Sequence, residues 1–493
     1  MCPILVLLAA LSAPADVIHL KNGRTIWADQ VREDKNKDRV EYDVGEDTYA
    51  IPKSSIERID AGGAAPVTGG HDSTAHDSAA HDSAGHDPAG HDSAGHGSIA
   101  AEMPDFSPAT TFIHESDLTD KIVREGKVDA DALSALDRAG NPELTATGYF
   151  LAGKSESDHG NFPQAKRYYE SALRFQPESP TLLIYYAASL MRTGQAGLAL
   201  TYAEHAARVA PDSPDALGML GFVQFATDHT ADAIRSWKKA LALRPDPVVK
   251  QYLERAERES STEAAFSQRE SSHFNLHFEG NQTNESFRRD LLAALDADYD
   301  DLVRDLGYSP RDTIAVTLYT QQAFFDVTRA PSWSGAINDG KLRIPVNGMQ
   351  SVTSDLAHVL KHELTHSFIA QMSSSRCPTW LNEGIAQMEE GKSSASNGHA
   401  LAQLFAAGGE IPYNMLEGSF MNFSAPEAAT AYAESLAAAE FIRETYGMGD
   451  MQQILQRLSQ GSGTEAALRG SIHCDYRQLR DEMTRWLTDR YGR

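Results

Sequence analysis

The sequence predicts a multidomain chain: a small N-terminal all-β unit, an all-α solenoid of repeats, and an α+β C-terminal domain. Three observations lead there. Apolar and polar positions alternate over residues 16 to 60, a 34-residue period runs from about 146 to 260, and beyond about 272 strand and helix patterns mix. At 493 residues the chain is also too long for a single hydrophobic core.

Composition narrows the function classes. Hydrophobic residues at 41% and charged residues at 23% are ordinary for globular proteins. No apolar stretch after the N-terminus reaches the roughly 18 to 20 residues needed to cross a bilayer, so no stable membrane span is expected. A net charge of −25 argues against nucleic acid as the main partner, because a phosphate backbone would be repelled. Pro3 to Leu11 form a short apolar core followed by Ala13-Pro14-Ala15, a small-residue cleavage pattern. We therefore expect a signal peptide over residues 1–15 and export to the periplasm or the extracellular space. The usual basic flank is missing, and a buried strand is the other reading of this segment. Its removal leaves Cys377 and Cys474, either paired as a disulfide or present as two thiols.

The β unit, residues 16–60, is read from Val17-Ile18-His19-Leu20, Arg39-Val40-Glu41-Tyr42 and Thr48-Tyr49-Ala50-Ile51, with turn residues at Asn22-Gly23 and Gly45-Glu46-Asp47. It carries no cluster of catalytic residue types, so interaction or packing is its expected role. Residues 61–110 are expected to be a disordered linker rich in Gly, Ala, Ser, Asp and His, which cannot bury enough apolar surface to fold. Histidine recurs every five positions from His71 to His96. That period lines up no helical face, which favours a repeat-expanded linker over weak capture of zinc, copper or nickel.

Three repeat units overlay within residues 140–262. Gly153, Ala165, Tyr169, Ala172 and Pro177 correspond to Ala187, Ala199, Ala203, Ala206 and Pro211, and to Gly221, Ala233, Trp237, Ala240 and Pro245. These residues resemble the tetratricopeptide repeat, in which small residues let paired helices approach and a proline ends each unit. The resemblance implies a concave surface for a protein partner or peptide. An array that only stiffens and orients the next domain is the other reading.

In the C-terminal domain, His273 to Phe278 and Thr313 to Tyr319 read as strands, and residues 284–306 as a helix. Gly340 to Pro345 reads as a strand whose proline suits a sheet edge. A long helical pattern over 352–372 contains His362-Glu363-Leu364-Thr365-His366. Histidines four apart share a helical face, so both imidazoles can reach one zinc ion. Glu363 is adjacent to that ion without being a ligand, placed to take a proton from a polarised water and pass it to a leaving amine. Glu383, in Trp380-Leu381-Asn382-Glu383-Gly384, follows His366 by seventeen positions. A helix, a turn and a second helix fit that interval and would bring its carboxylate opposite the imidazoles as a third ligand. Packed core histidines and a solvated surface glutamate are the competing readings.

HELTH followed by WLNEGIA resembles the gluzincin clan of metallopeptidases, in particular bacterial peptidase MA-like domains found beside tetratricopeptide repeats. The resemblance spans residues 272–493. It implies a zincin-like fold, Zn2+ as cofactor, His362, His366 and Glu383 as metal ligands, and Glu363 as general base. The zincin class with a third histidine is ruled out, because Ile369 and Met372 stand where its glycine and histidine would be. Gluzincins commonly add a downstream tyrosine or histidine that hydrogen-bonds the oxyanion, and Tyr432 is the candidate, with a core aromatic as its other reading. The strand around Leu342 to Ile344 is expected to hold an extended substrate by strand addition. Cys377 lies near the metal helices, where an inert thiol or a disulfide outweighs a thiolate cap. The expected function is an exported zinc metallopeptidase acting on a peptide or protein substrate, with repeats that recruit substrate or partner. The alternative is a repeat-based scaffold whose zincin domain is catalytically inactive.

Overall fold

The computed structural model describes residues 15–20, 25–28, 30–33, 39–44, 47–53, 56–63, 115–124, 126–280, 283–328, 336–346, 348–420 and 423–492. The apolar N-terminal core, the turns at Asn22-Gly23 and Gly45-Glu46, and the histidine tract lie outside the described residues. The chain divides into two compact units, Met1–Ala84 and Gly85–Arg493.

The first unit holds strands β1 (Ala15–Leu20), β2 (Thr25–Ala28), β3 (Gln30–Glu33), β4 (Arg39–Val44), β5 (Asp47–Pro52) and β6 (Ile56–Gly63). They form two antiparallel sheets, ordered β2-β1-β6 and β3-β4-β5. Ile18 and Val40 are buried.

The second unit is mostly helical. After α1 (Glu115–Ile122), the short hairpin β7 (Val123–Arg124) and β8 (Lys127–Val128), and α2 (Ala130–Ala139), helices come in pairs. These are α3 (Pro142–Asp158) with α4 (Phe162–Leu173), α5 (Pro180–Arg192) with α6 (Ala196–Val209), and α7 (Pro214–Ala226) with α8 (Thr230–Leu243). Helix α9 (Pro247–Glu263) follows. The first helix of each pair, and α9, opens on a proline whose missing N–H costs nothing there. The preceding Asn141, Ser179, Ser213 or Asp246 accepts a first-turn N–H. Close approach within pairs depends on small residues. A Cβ on Gly153 would stand 2.5 Å from the Tyr169 ring, and one on Gly221 2.4 Å from Trp237. In the middle pair Ala187 and Ala203 occupy the same crossing, both fully buried.

The C-terminal part begins with β9 (Phe266–Glu270), β10 (Phe274–Glu279), α10 (Glu285–Leu306), β11 (Ile314–Tyr319), α11 (Gln321–Thr328), β12 (Ile337–Asn338) and β13 (Leu342–Pro345). The sheet order is β12-β13-β11-β10-β9, with β13, β11 and β10 parallel and both outer strands antiparallel. The expected edge strand is therefore displaced. β13 lies inside the sheet, paired through Ile337↔Arg343 and Asn338↔Leu342 on one side and with β11 on the other. Its proline is tolerated because it is the last residue of the strand, and β12 is too short to show an alternating pattern.

Among the described residues, seven α-helices and a 3-10 turn (Ser394–Ser396) complete the unit: α12 (Ser354–Ser373), α13 (Thr379–Glu389), α14 (Gly398–Ala406), α15 (Ala425–Thr445), α16 (Met448–Ser459), α17 (Thr464–Ile472) and α18 (Tyr476–Tyr491). Their apolar faces and the sheet share one core, from Phe274 to Leu487.

The repeats join this core through buried charge. Lys341 Nζ lies 2.6 Å from Glu259 Oε1 and 2.9 Å from Asp228 Oδ1. Arg343 lies 2.8 Å from Glu259 Oε2 and 2.9 Å from Asp339 Oδ2. Arg255 pairs with Asp339, and His277 with Asp228. Burial would raise the Glu259 pKa, but Arg343 and Lys341 hold it at about 2.

Candidate metal centre

Helix α12 is started by Thr353, whose side chain accepts the Leu356 N–H. Leu360, Leu364 and Phe368 bury its apolar face, and the opposite stripe brings His362, Glu363 and His366 inside at 0%, 1% and 3% exposure. The helix ends in two successive left-handed residues, Ser374 (φ 51) and Ser375 (φ 58), which turn the chain back towards Pro378. Ser374 and Ser375 N–H groups return to the Ala370 carbonyl, satisfying the last turn.

Helix α13 starts against the loop before α15. Thr379 and Trp380 donate their N–H groups to the carbonyls of Glu417 and Leu416, at 3.1 and 3.0 Å. Gly384 then permits contact with α15, since a Cβ there would stand 2.2 Å from the Ser435 carbonyl oxygen. That contact seats the preceding residue, Glu383, in the interior at 0% exposure.

The two helices bring together one nitrogen of His362, one of His366 and one oxygen of Glu383, all within 4.8 Å of one another. His362 Nε2 lies 3.5 Å from Glu383 Oε2, and His366 Nε2 lies 3.8 Å from Glu383 Oε1. The imidazole planes are nearly perpendicular, with centroids 4.8 Å apart. Each far nitrogen has its own partner. His366 Nδ1 lies 3.0 Å from Asn382 Oδ1, and His362 Nδ1 lies 3.4 Å from Glu390 Oε1. With protons on the Nδ1 atoms, both Nε2 lone pairs point towards Glu383, the tautomer a metal ligand needs.

The electrostatics call for positive charge. Burial alone would lower the His362 pKa, but Glu390 and then Glu383 raise it to about 10. Burial would raise the Glu390 carboxyl, yet His362 pulls it down to about 2. Two nitrogens and a carboxylate oxygen, dry and ringed by further carboxylates, are a donor set that fits a zinc ion with one position left open.

Tyr432 stands on α15, buried, with its ring edge-on to Phe420 at 5.5 Å and its carbonyl accepting from Gln387 Nε2 of α13. These contacts pack it beside the helix that carries Glu383. Cys377 and Cys474 are free thiols, so the disulfide reading is corrected. Cys474 turns instead to Tyr446, 3.3 Å away. Burial and then the Glu383 charge push the Cys377 thiol far up, which keeps it protonated. Asn382, Glu390 and Asn338 were not singled out from the sequence. Glu390 carried a signal, lying seven positions after Glu383 and so on the same helical face; the other two depend on chain crossings.

Residues 296–489 match the family model of the peptidase MA superfamily. The match begins within α10, ends within α18 and includes all the residues of the centre. Among solved structures, the chain is similar to "MamA RS-1 ArsTM double mutant", at 20% identity and TM-score 0.26, covering 32% of this chain and 86% of that one. It is also similar to "MamA 41-end from Desulfovibrio magneticus RS-1", at 18% identity and TM-score 0.24, covering 31% of this chain and 88% of that one. No curated protein matches.

Proposed function

We propose that the chain is an exported zinc metallopeptidase of the gluzincin type, hydrolysing peptide bonds in peptide or protein substrates. The observation that carries this is the buried trio of His362, His366 and Glu383, within 4.8 Å, inside the stretch that matches the peptidase MA superfamily. Bound there, zinc would supply Lewis acidity and an acidified water. Asn382 and Glu390 orient the two imidazoles, and Glu363, next to His362 on the same helix, takes the proton and returns it to the leaving amine. Tyr432 is assigned the oxyanion contact. The helix pairs of residues 140–262 are read as tetratricopeptide repeats that recruit a substrate or partner, behind an all-β N-terminal unit and a linker. Among the described residues no helix is long and apolar enough to cross a membrane.

Digestion of a complex peptide mixture followed by mass spectrometry tests the reading. The wild-type chain is expected to generate new termini, and a chelator to abolish them. Glu363→Gln is expected to keep the metal and lose roughly 100- to 10,000-fold in rate. Cleavage that persists in Glu363→Gln would remove the assigned base; no cleavage by zinc-loaded wild type would leave a scaffold.

A further inference from the structure

Asn338 belongs to no motif, yet it ties the helix of the metal centre to the sheet edge. Its Nδ2 lies 2.6 Å from the Glu363 carbonyl oxygen and 2.6 Å from Ser367 Oγ, while its Oδ1 accepts the Gly340 N–H at 3.1 Å. These partners settle the amide's orientation, since a flip would oppose oxygen to oxygen and nitrogen to N–H. Glu363 and Ser367 are one helical turn apart, and His366 lies between them. The side chain thus clamps the turn that carries both the proposed base and one proposed ligand.

The hairpin bearing Asn338 is gripped from its other side by the repeats. Asp339, the next residue, pairs with Arg255 of α9 and with Arg343. Lys341 is held by Glu259 of α9 and by Asp228, just beyond α7. Asn338, Gly340, His366 and Ser367 also line a cavity of about 130 Å³ whose other wall includes Met191 and Arg192 of α5. Repeat helices and the metal helix therefore both hold the hairpin around Asn338, besides touching directly where Gly194 packs on Gln371.

We propose that Asn338 is a positioning residue for the metal helix, held in place from the repeat array through Asp339–Arg255 and Lys341–Glu259. The repeats then help set the geometry of the centre, whatever they bind on their outer surface. This rests on the metal-centre reading above. A coordinating constellation must be held to within about 0.5 Å, and losing an orienting contact typically costs about 10- to 100-fold in metal affinity.

Cobalt titration of the full chain, read by visible absorption, tests this. The double variant His362→Ala, His366→Ala supplies the baseline for cobalt bound elsewhere. Asn338→Ala is expected to stay folded by circular dichroism, to bind cobalt roughly tenfold more weakly, and to change the intensity of the d–d bands. Arg255→Met, on the repeat helix, is expected to move both readings in the same direction. If Asn338→Ala does not fold, Asn338→Ser, which keeps one donor, is read in its place with the same expectation. A folded Asn338 variant with wild-type affinity and spectrum overturns the proposal, and an unchanged Arg255→Met overturns the reach from the repeats. A wild type with no cobalt signal above baseline overturns the metal reading instead.

Discussion

At the scale of single residues, the proposed donors stand where helix geometry and burial put them. Histidines four apart fall on one face of a helix, and a glutamate in an apolar run has few stable places to go. The orienting residues were much less legible. Asn382 adjoins Glu383, but its bond to His366 Nδ1 depends on how α13 crosses α12. Removing that bond frees the ring to rotate and to change tautomer. Asn382→Ala is therefore expected to weaken zinc binding by roughly tenfold or more with little change in folding, measured by competition against a zinc indicator. Unchanged affinity would show that packing alone orients His366. Tyr432 is the case where the sequence could not decide, since an aromatic in a helix reads the same whether it packs or reacts.

At the scale of elements, the helix pairs followed from their 34-residue period, with its recurring small residues and a proline ending each unit, which act locally. The sheet edge did not follow. A two-residue strand has no pattern to read, and the bonds from Lys341 and Arg343 to Glu259 span 82 and 84 residues, beyond any local pattern. The glycine of the WLNEGIA segment has a packing reason the sequence did not expose. Gly384 lets α13 rest on the backbone of α15, so Gly384→Ala must push the helices apart. A loss of about 1 to 3 kcal/mol is expected in urea unfolding, with weaker zinc binding because Glu383 moves with the helix. Wild-type values for both would mean that the contact does not seat the ligand.

At the scale of the whole molecule, the repeats and the peptidase-like part lie in one compact unit, although their sequence patterns change character near residue 262. Cutting there would separate Lys341 and Arg343 from most of the charge that balances them, because Glu259 and Asp228 lie on the other side. Replacing Glu259 by Gln leaves those cations undercompensated, and a loss of about 3 to 5 kcal/mol is expected at neutral pH. The sign with pH follows from the depressed Glu259 pKa. Its contribution is complete above the ordinary carboxyl value of 4.5 and is lost as pH falls towards about 2. The gap in thermal unfolding between wild type and Glu259→Gln should therefore close on acidification from 4.5 to 2. A gap that holds constant would show that charge on Glu259 contributes nothing to the junction.

On the proposed reading, His362, His366 and Glu383 hold one zinc ion. Elemental analysis of the full chain, beside Glu383→Ala and the double variant His362→Ala, His366→Ala, tests it most directly, because comparing the proteins cancels metal bound along the histidine tract. About one zinc more per chain is expected in the wild type than in either variant. Equal zinc in all three folded proteins would contradict it.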